Sequence, residues 1–155
     1  MIKELVHILK EKGLTITTME SCTGGALISA ITDIEGASSI TEGGYVTYSN
    51  DAKIQAGVSE NIINTFGVYS KETAVEMAKV CKTLRKADIG IGVTGSLNNI
   101  DLSNKDSVPC RVFYAICYDD AIEVFEIEVP KFSRNIQKKC IVNEVFGKVL
   151  LIIGD

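Results

Sequence analysis

The sequence holds one histidine, His7, no CxxC pair, no excess of positive charge, and no apolar run long enough to cross a bilayer. Each absence removes a class of protein. A single histidine beside cysteines at 22, 81, 110, 117 and 140, none in paired spacing, argues against a zinc cluster. The odd cysteine count fits free thiols in a reducing cytoplasm. A formal charge of -4 disfavours a general nucleic-acid binder, whose phosphate contacts need a basic face, but leaves room for a local pocket for one phosphate. The start, 1-MIKELVHILKEKG-13, sets charges between its apolar residues. It reads as neither a signal peptide nor a membrane span. Internal repeats, linkers and low-complexity tracts are missing too. What is present is an ordinary globular composition, 46% hydrophobic and 23% charged over 155 residues, enough for one domain with its own core.

Along the chain, Ile2, Leu5, Val6 and Leu9 fall at helical spacing before Gly13, with His7 off that stripe as a solvated side chain. Residues 14–19 read as a strand, 24–32 as a helix, 36–44 as a loop and 45–49 as a second strand. Ser59 and Ser70 are placed to cap helices over 60–66 and 71–86. Ala74, Met77, Cys81 and Leu84 form one apolar face of the longer helix. Residues 88–95 read as a buried strand ending in a glycine turn, and 96–107 as a polar loop. The segments 110–118 and 121–129 make a hairpin around Asp119-Asp120, and 133–153 is a closing helix. Strands and helices that alternate and then give way to a hairpin predict a three-layer α/β/α domain with a mixed sheet.

The stretch 17-TTMESCTGGALISA-30 concentrates chemistry at one strand-to-helix corner. Such corners lie at the carboxyl ends of strands, where α/β proteins bind ligands. Three readings stay open on these residues alone. Ser21 is a nucleophile, the corner is an anion cradle, or the serine only caps a helix while Gly24 and Gly25 allow a tight turn. A nucleophilic serine needs a base. His7 is poorly placed on the first helix. Lys53, with Tyr48, lies in 46-VTYSNDAK-53, which runs off a strand toward the same ends. A lysine acts as a base near neutral pH only if it is desolvated or crowded by positive charge.

The run 20-ESCTGG-25, then 36-GASS-39 and 43-GGYVTYSNDAK-53, closely resembles the CinA C-terminal domain family, in the form of its stand-alone nicotinamide-nucleotide amidases. The resemblance continues through 57–78 and 87–95 and spans about residues 2–152. It implies a three-layer fold with a mixed, mostly parallel five-stranded sheet over a single domain, 1–155, without the separate N-terminal domain of longer members. It also implies a homo-oligomer that deamidates nicotinamide mononucleotide to nicotinic acid mononucleotide and ammonia, with no cofactor. By this resemblance Ser21 is the nucleophile, Lys53 the general base and Tyr48 an aid to proton transfer or positioning. Thr23, Gly24 and Gly25 would hold the oxyanion or substrate. Asn50, Thr94 and Gly95 would contact substrate, and Arg134, ahead of the weaker candidate Arg111, would meet its phosphate.

The chain departs from the family pattern after Thr94-Gly95. A glycine- and proline-rich loop of the type AGPGG is here 97-LNNID-101, and a PVGTV strand start is 109-PCRVF-113. Asn98 and Asn99 are expected to take left-handed backbone angles in place of the glycines. The departure keeps two alternatives in view: a catalytically altered nucleotide-binding or regulatory domain, and an amidase for a different amide. Cys22, near a helix N-terminus, is a minor rival to Ser21.

Overall fold

A computed structural model describes residues 1–154. The helices are α1 (Ile2–Lys12), α2 (Ala26–Thr32), α3 (Asn50–Ala56), α4 (Glu60–Phe66), α5 (Lys71–Arg85) and α6 (Arg134–Gly154). The strands are β1 (Ile16–Glu20), β2 (Tyr45–Val46), β3 (Ile89–Gly95), β4 (Arg111–Tyr118) and β5 (Ala121–Glu128). They form one five-stranded sheet in the order β2-β1-β3-β4-β5. The β2-β1 and β1-β3 ladders are parallel, and β4 is antiparallel to both its neighbours. Helices cover both faces, so the three-layer α/β architecture is as the sequence predicts.

The two faces follow from alternation along the strands. Ile89, Ile91 and Val93 of β3, with Val112, Tyr114 and Ile116 of β4, pack among residues of α1, α2 and α6. The intervening β3 positions are Gly90 and Gly92, and these face α5. A Cβ at either would collide with a backbone carbonyl of α5, that of Ala78 or of Ala74. The Ile-Gly-Ile-Gly run therefore lets α5 lie directly on the sheet. On α6, Ile141, Val145, Phe146, Val149 and Ile153 are buried at helical spacing, and each contributes about 2 kcal/mol by leaving water.

Several elements differ from the sequence reading. β2 is two residues long, and the chain leaves it for α3, a helix that the aromatic and β-branched run 45-YVTYS-49 conceals. Ser49 caps α3 by accepting from Ala52 N at 3.0 Å, and Gly57 ends it at φ 114°. Met77 and Cys81 are in the core as expected, but Leu84 is 50% exposed because α5 is near its end there. His7 is exposed and faces Glu11 one turn on. Asn98 and Asn99 do not take left-handed angles. Among non-glycine residues of the described chain, Lys86, Cys110 and Asp119 do.

The parallel strands decide where the site lies. Ser21 N donates to Val93 O at 3.0 Å, and Thr47 N donates to Glu20 O at 2.9 Å. The residues just past β1, β2 and β3 thus emerge along one edge of the sheet, the usual place for a ligand in this architecture.

Candidate active site

The corner after β1 is built around a buried carboxylate. Glu20, the last residue of β1, turns its side chain beneath the start of α2. Its oxygens accept from Thr23 Oγ1 at 2.7 Å, Leu27 N at 2.9 Å, Ile28 N at 3.0 Å and Thr18 Oγ1 at 3.2 Å. Two of the helix's free N–H groups are satisfied from outside the helix, by a negative charge at its positive end. Gly24 and Gly25, at φ 59° and 100°, make the turn that permits this. Thr23 is therefore part of the corner's framework, not of a ligand surface. Neither it nor the two glycines line the cavity beside Ser21. Thr94 is also structural: buried, it donates to Val68 O at 3.0 Å.

That cavity measures about 620 Å³ and is lined by Ser21, Tyr48, Asn50, Lys53, Gly95 and Arg134 among others. At its floor Lys53 Nζ lies 2.9 Å from Ser21 Oγ and donates to Thr47 O at 2.8 Å. Lys53 is 1% exposed. Removal from water lowers its pKa from 10.5 to about 8, against small opposing effects from Cys22 and Asp101. Ser21 and Lys53 are thus in contact, with the lysine poised to lose its proton near neutrality.

Other expected residues take different places. Tyr48 is 64% exposed, and its hydroxyl accepts from Arg134 Nη2 at 3.1 Å. It orients the arginine and makes no bond to Ser21 or Lys53. Asn50 donates to Asn104 Oδ1 at 2.9 Å and ties α3 to the polar loop. Arg111 pairs with Glu126 on the exposed hairpin and does not line the cavity. Cys22 is 5% exposed, and burial drives its thiol up to about 12, so it stays protonated. Among the described residues, no three His, Cys, Asp or Glu side chains come together as a metal cluster.

The loop after β3 is closed by side chains where a glycine- and proline-rich loop would rely on backbone. Ser96 and Ser107 hydroxyls lie 2.7 Å apart. Asn98 donates to Phe132 O at 2.7 Å and accepts from the buried Gln137 at 2.9 Å. Asp101 accepts from Tyr69 Oη at 2.5 Å, from Asn104 Nδ2 at 2.7 Å and from Ser103 N at 2.9 Å. Leu97 is buried beneath the loop. The sequence reading missed Glu20, Thr47, Tyr69, Asp101 and Gln137. Tyr69 with Asp101, and Gln137 with Asn98, meet across 32 and 39 residues, while Glu20 and Thr47 have near partners that no ordinary capping pattern marks.

The comparisons agree with this fold. A model of the CinA C-terminal domain matches residues 1–150, and the chain belongs to that family. A Bacillus subtilis protein named as competence-damage inducible is 38% identical over 140 residues, which are 90% of this chain and 33% of the relative. A CinA-like protein of Chloroherpeton thalassium is 48% identical over 90 residues, 57% of this chain and 21% of the relative. The chain thus spans a third or less of these relatives. Among solved structures, the competence/damage inducible protein CihA from Agrobacterium tumefaciens superposes with a TM-score of 0.86 at 28% identity, covering 99% of this chain and 96% of that one. A competence or damage-inducible protein from Enterobacter asburiae gives 0.89 at 25% identity, with 98% of each chain covered.

Proposed function

We propose that this chain hydrolyses the carboxamide of nicotinamide mononucleotide, giving nicotinic acid mononucleotide and ammonia. The observation that carries the reading is the 2.9 Å contact between Ser21 Oγ and a buried Lys53 Nζ whose pKa falls to about 8. Neutral Lys53 takes the Ser21 proton as Oγ bonds to the carboxamide carbon. Cys22 lines the cavity beside Ser21, and its backbone N–H is the donor assigned to the oxyanion; such a donor is worth about 3–4 kcal/mol in the transition state. Protonated Lys53 returns the proton to the departing nitrogen, the C–N bond breaks and ammonia leaves. Water then adds to the acyl-serine with Lys53 again as base, which frees the acid and restores Ser21. Arg134, steadied by Tyr48 at the cavity lip, is the cation for the substrate phosphate. On this reading residues 1–155 form one such domain, a cytoplasmic homo-oligomer whose partner is a small pyridine nucleotide.

The test is ammonia release from nicotinamide mononucleotide by the purified protein, followed as a function of pH. At pH 7 about one lysine in ten is neutral if its pKa is near 8. Catalytic efficiency is expected to climb roughly in proportion to the neutral fraction and to level off above about pH 8. A flat profile between pH 6 and 9 would remove Lys53 from the base's role. Absence of ammonia from folded protein would end the proposal for this substrate and leave a different amide or a purely binding domain.

A further inference from the structure

The loop that departs from the family pattern carries a carboxylate into the cavity. Asp101 and Tyr69 both line it, on the same cavity that holds Ser21 and Lys53. Asp101 is fixed by three donors from Tyr69, Asn104 and Ser103 N. The hydrogen bond from Tyr69, then that from Asn104, holds its pKa below the usual carboxylate range, so the group is ionised. The nearby walls, Leu97 and Ile100, are apolar.

We propose that Asp101 is the residue by which this site selects an amide carried on a positively charged ring. The inference rests on the amidase reading for the nature of the amide. Two features of such a ligand compete as the partner of Asp101, a sugar diol and a cationic ring. A bidentate diol contact needs a free lone-pair site on each carboxylate oxygen. Here Oδ2 already accepts two bonds and Oδ1 one, so a diol can reach Oδ1 alone. What Asp101 offers beyond that single acceptor site is charge, at a fixed point beside the Tyr69 hydroxyl. A delocalised cation needs no directed hydrogen bond. It is attracted both by a carboxylate and by an aromatic face in a partly desolvated site. The cavity lining holds both charges such a ligand needs, Asp101 for the ring and Arg134 for an anion.

The ligands that test this differ mainly in ring charge: nicotinamide mononucleotide and its reduced dihydro form, which has a neutral ring and keeps the carboxamide. Binding to the Ser21→Ala protein is measured by calorimetry, so turnover is not needed. The oxidised ligand is expected to bind about tenfold more tightly than the reduced one. Adding Asp101→Asn should bring the ratio near one, Asp101→Glu should keep most of it, and Asp51→Asn, at the other carboxylate lining the cavity, should leave it in place. A ratio near one in Ser21→Ala alone would overturn the proposal. So would a ratio that survives Asp101→Asn, one lost equally with Asp101→Glu or Asp51→Asn, or no binding of either ligand. Ammonia release by the unmodified protein is read separately. Ammonia without the binding preference sinks only the role of Asp101, and the preference without ammonia sinks only the hydrolysis.

Discussion

The Ser21→Ala protein is expected to release ammonia from nicotinamide mononucleotide at least about 10⁴-fold more slowly than the unmodified chain, while folding normally. On the proposed mechanism, alanine removes the atom that forms the acyl intermediate at the floor of the cavity. The neighbouring thiol offers no rescue, since Cys22 is buried and held protonated by a pKa near 12. Lys53→Ala leaves Ser21 without a base and is expected to cost nearly as much, because nucleophile and base act as a unit and their losses do not add. The double variant should therefore be little worse than either single one. Single-turnover ammonia release on all three proteins checks this. Residual activity within tenfold of wild type in Ser21→Ala would show that another group carries the reaction.

The largest effect on stability is expected at Glu20. Replacing it with alanine leaves Leu27 N, Ile28 N and Thr23 Oγ1 without the acceptor they share. An unsatisfied buried donor costs about 1–3 kcal/mol, and bonds to a charged acceptor lie at the upper end. Glu20→Ala is expected to lose about 4 kcal/mol or more in denaturant unfolding. Glu20→Gln keeps one acceptor oxygen and the side-chain shape, so it should lose about half as much. Because α2 begins one turn after Ser21, activity should fall with stability even though Glu20 lies outside the cavity. Equal midpoints for wild type and Glu20→Ala would mean that α2 does not depend on this carboxylate.

What the sequence disclosed and what it hid have separate physical reasons. The layers were legible because strand and helix periods are local: the Ile-Gly alternation of β3, the capped start of α5 and the apolar stripe of α1 each announce their element within a few residues. The residues offered Lys53 as an option for the base, on a segment running off a strand toward the same ends as Ser21, and the family resemblance singled out the pair across the 32 residues that separate them. α3 was hidden because Tyr45, Val46, Thr47 and Tyr48 favour a strand, although Ser49 signals a cap just afterwards. Glu20 was hidden because a helix cap is normally sought next to the helix, and this one arrives from the end of a strand. Thr23, Thr94 and Tyr48 stand at motif positions but serve the framework or the cavity rim, which a motif alone does not distinguish. The polar loop reads as surface because its ties to Tyr69, Asn50 and Gln137 come from three other segments of the chain.

Lys53 also sets a limit on how stable this protein is. Its lowered pKa means that folding at pH 7 must either confine an ammonium in the core or strip its proton, a penalty on the order of 3 kcal/mol. Between about pH 8 and 10.5 the unfolded chain binds more protons at this residue than the folded one, so stability rises with pH across that window and the penalty is full below it. Lys53→Met is accordingly expected to melt higher than wild type at pH 7, with the difference shrinking toward pH 10; a constant difference would show that the lysine is no burden to the fold. On the proposed mechanism, the domain gives up part of its thermal resistance so that one amine can be a base.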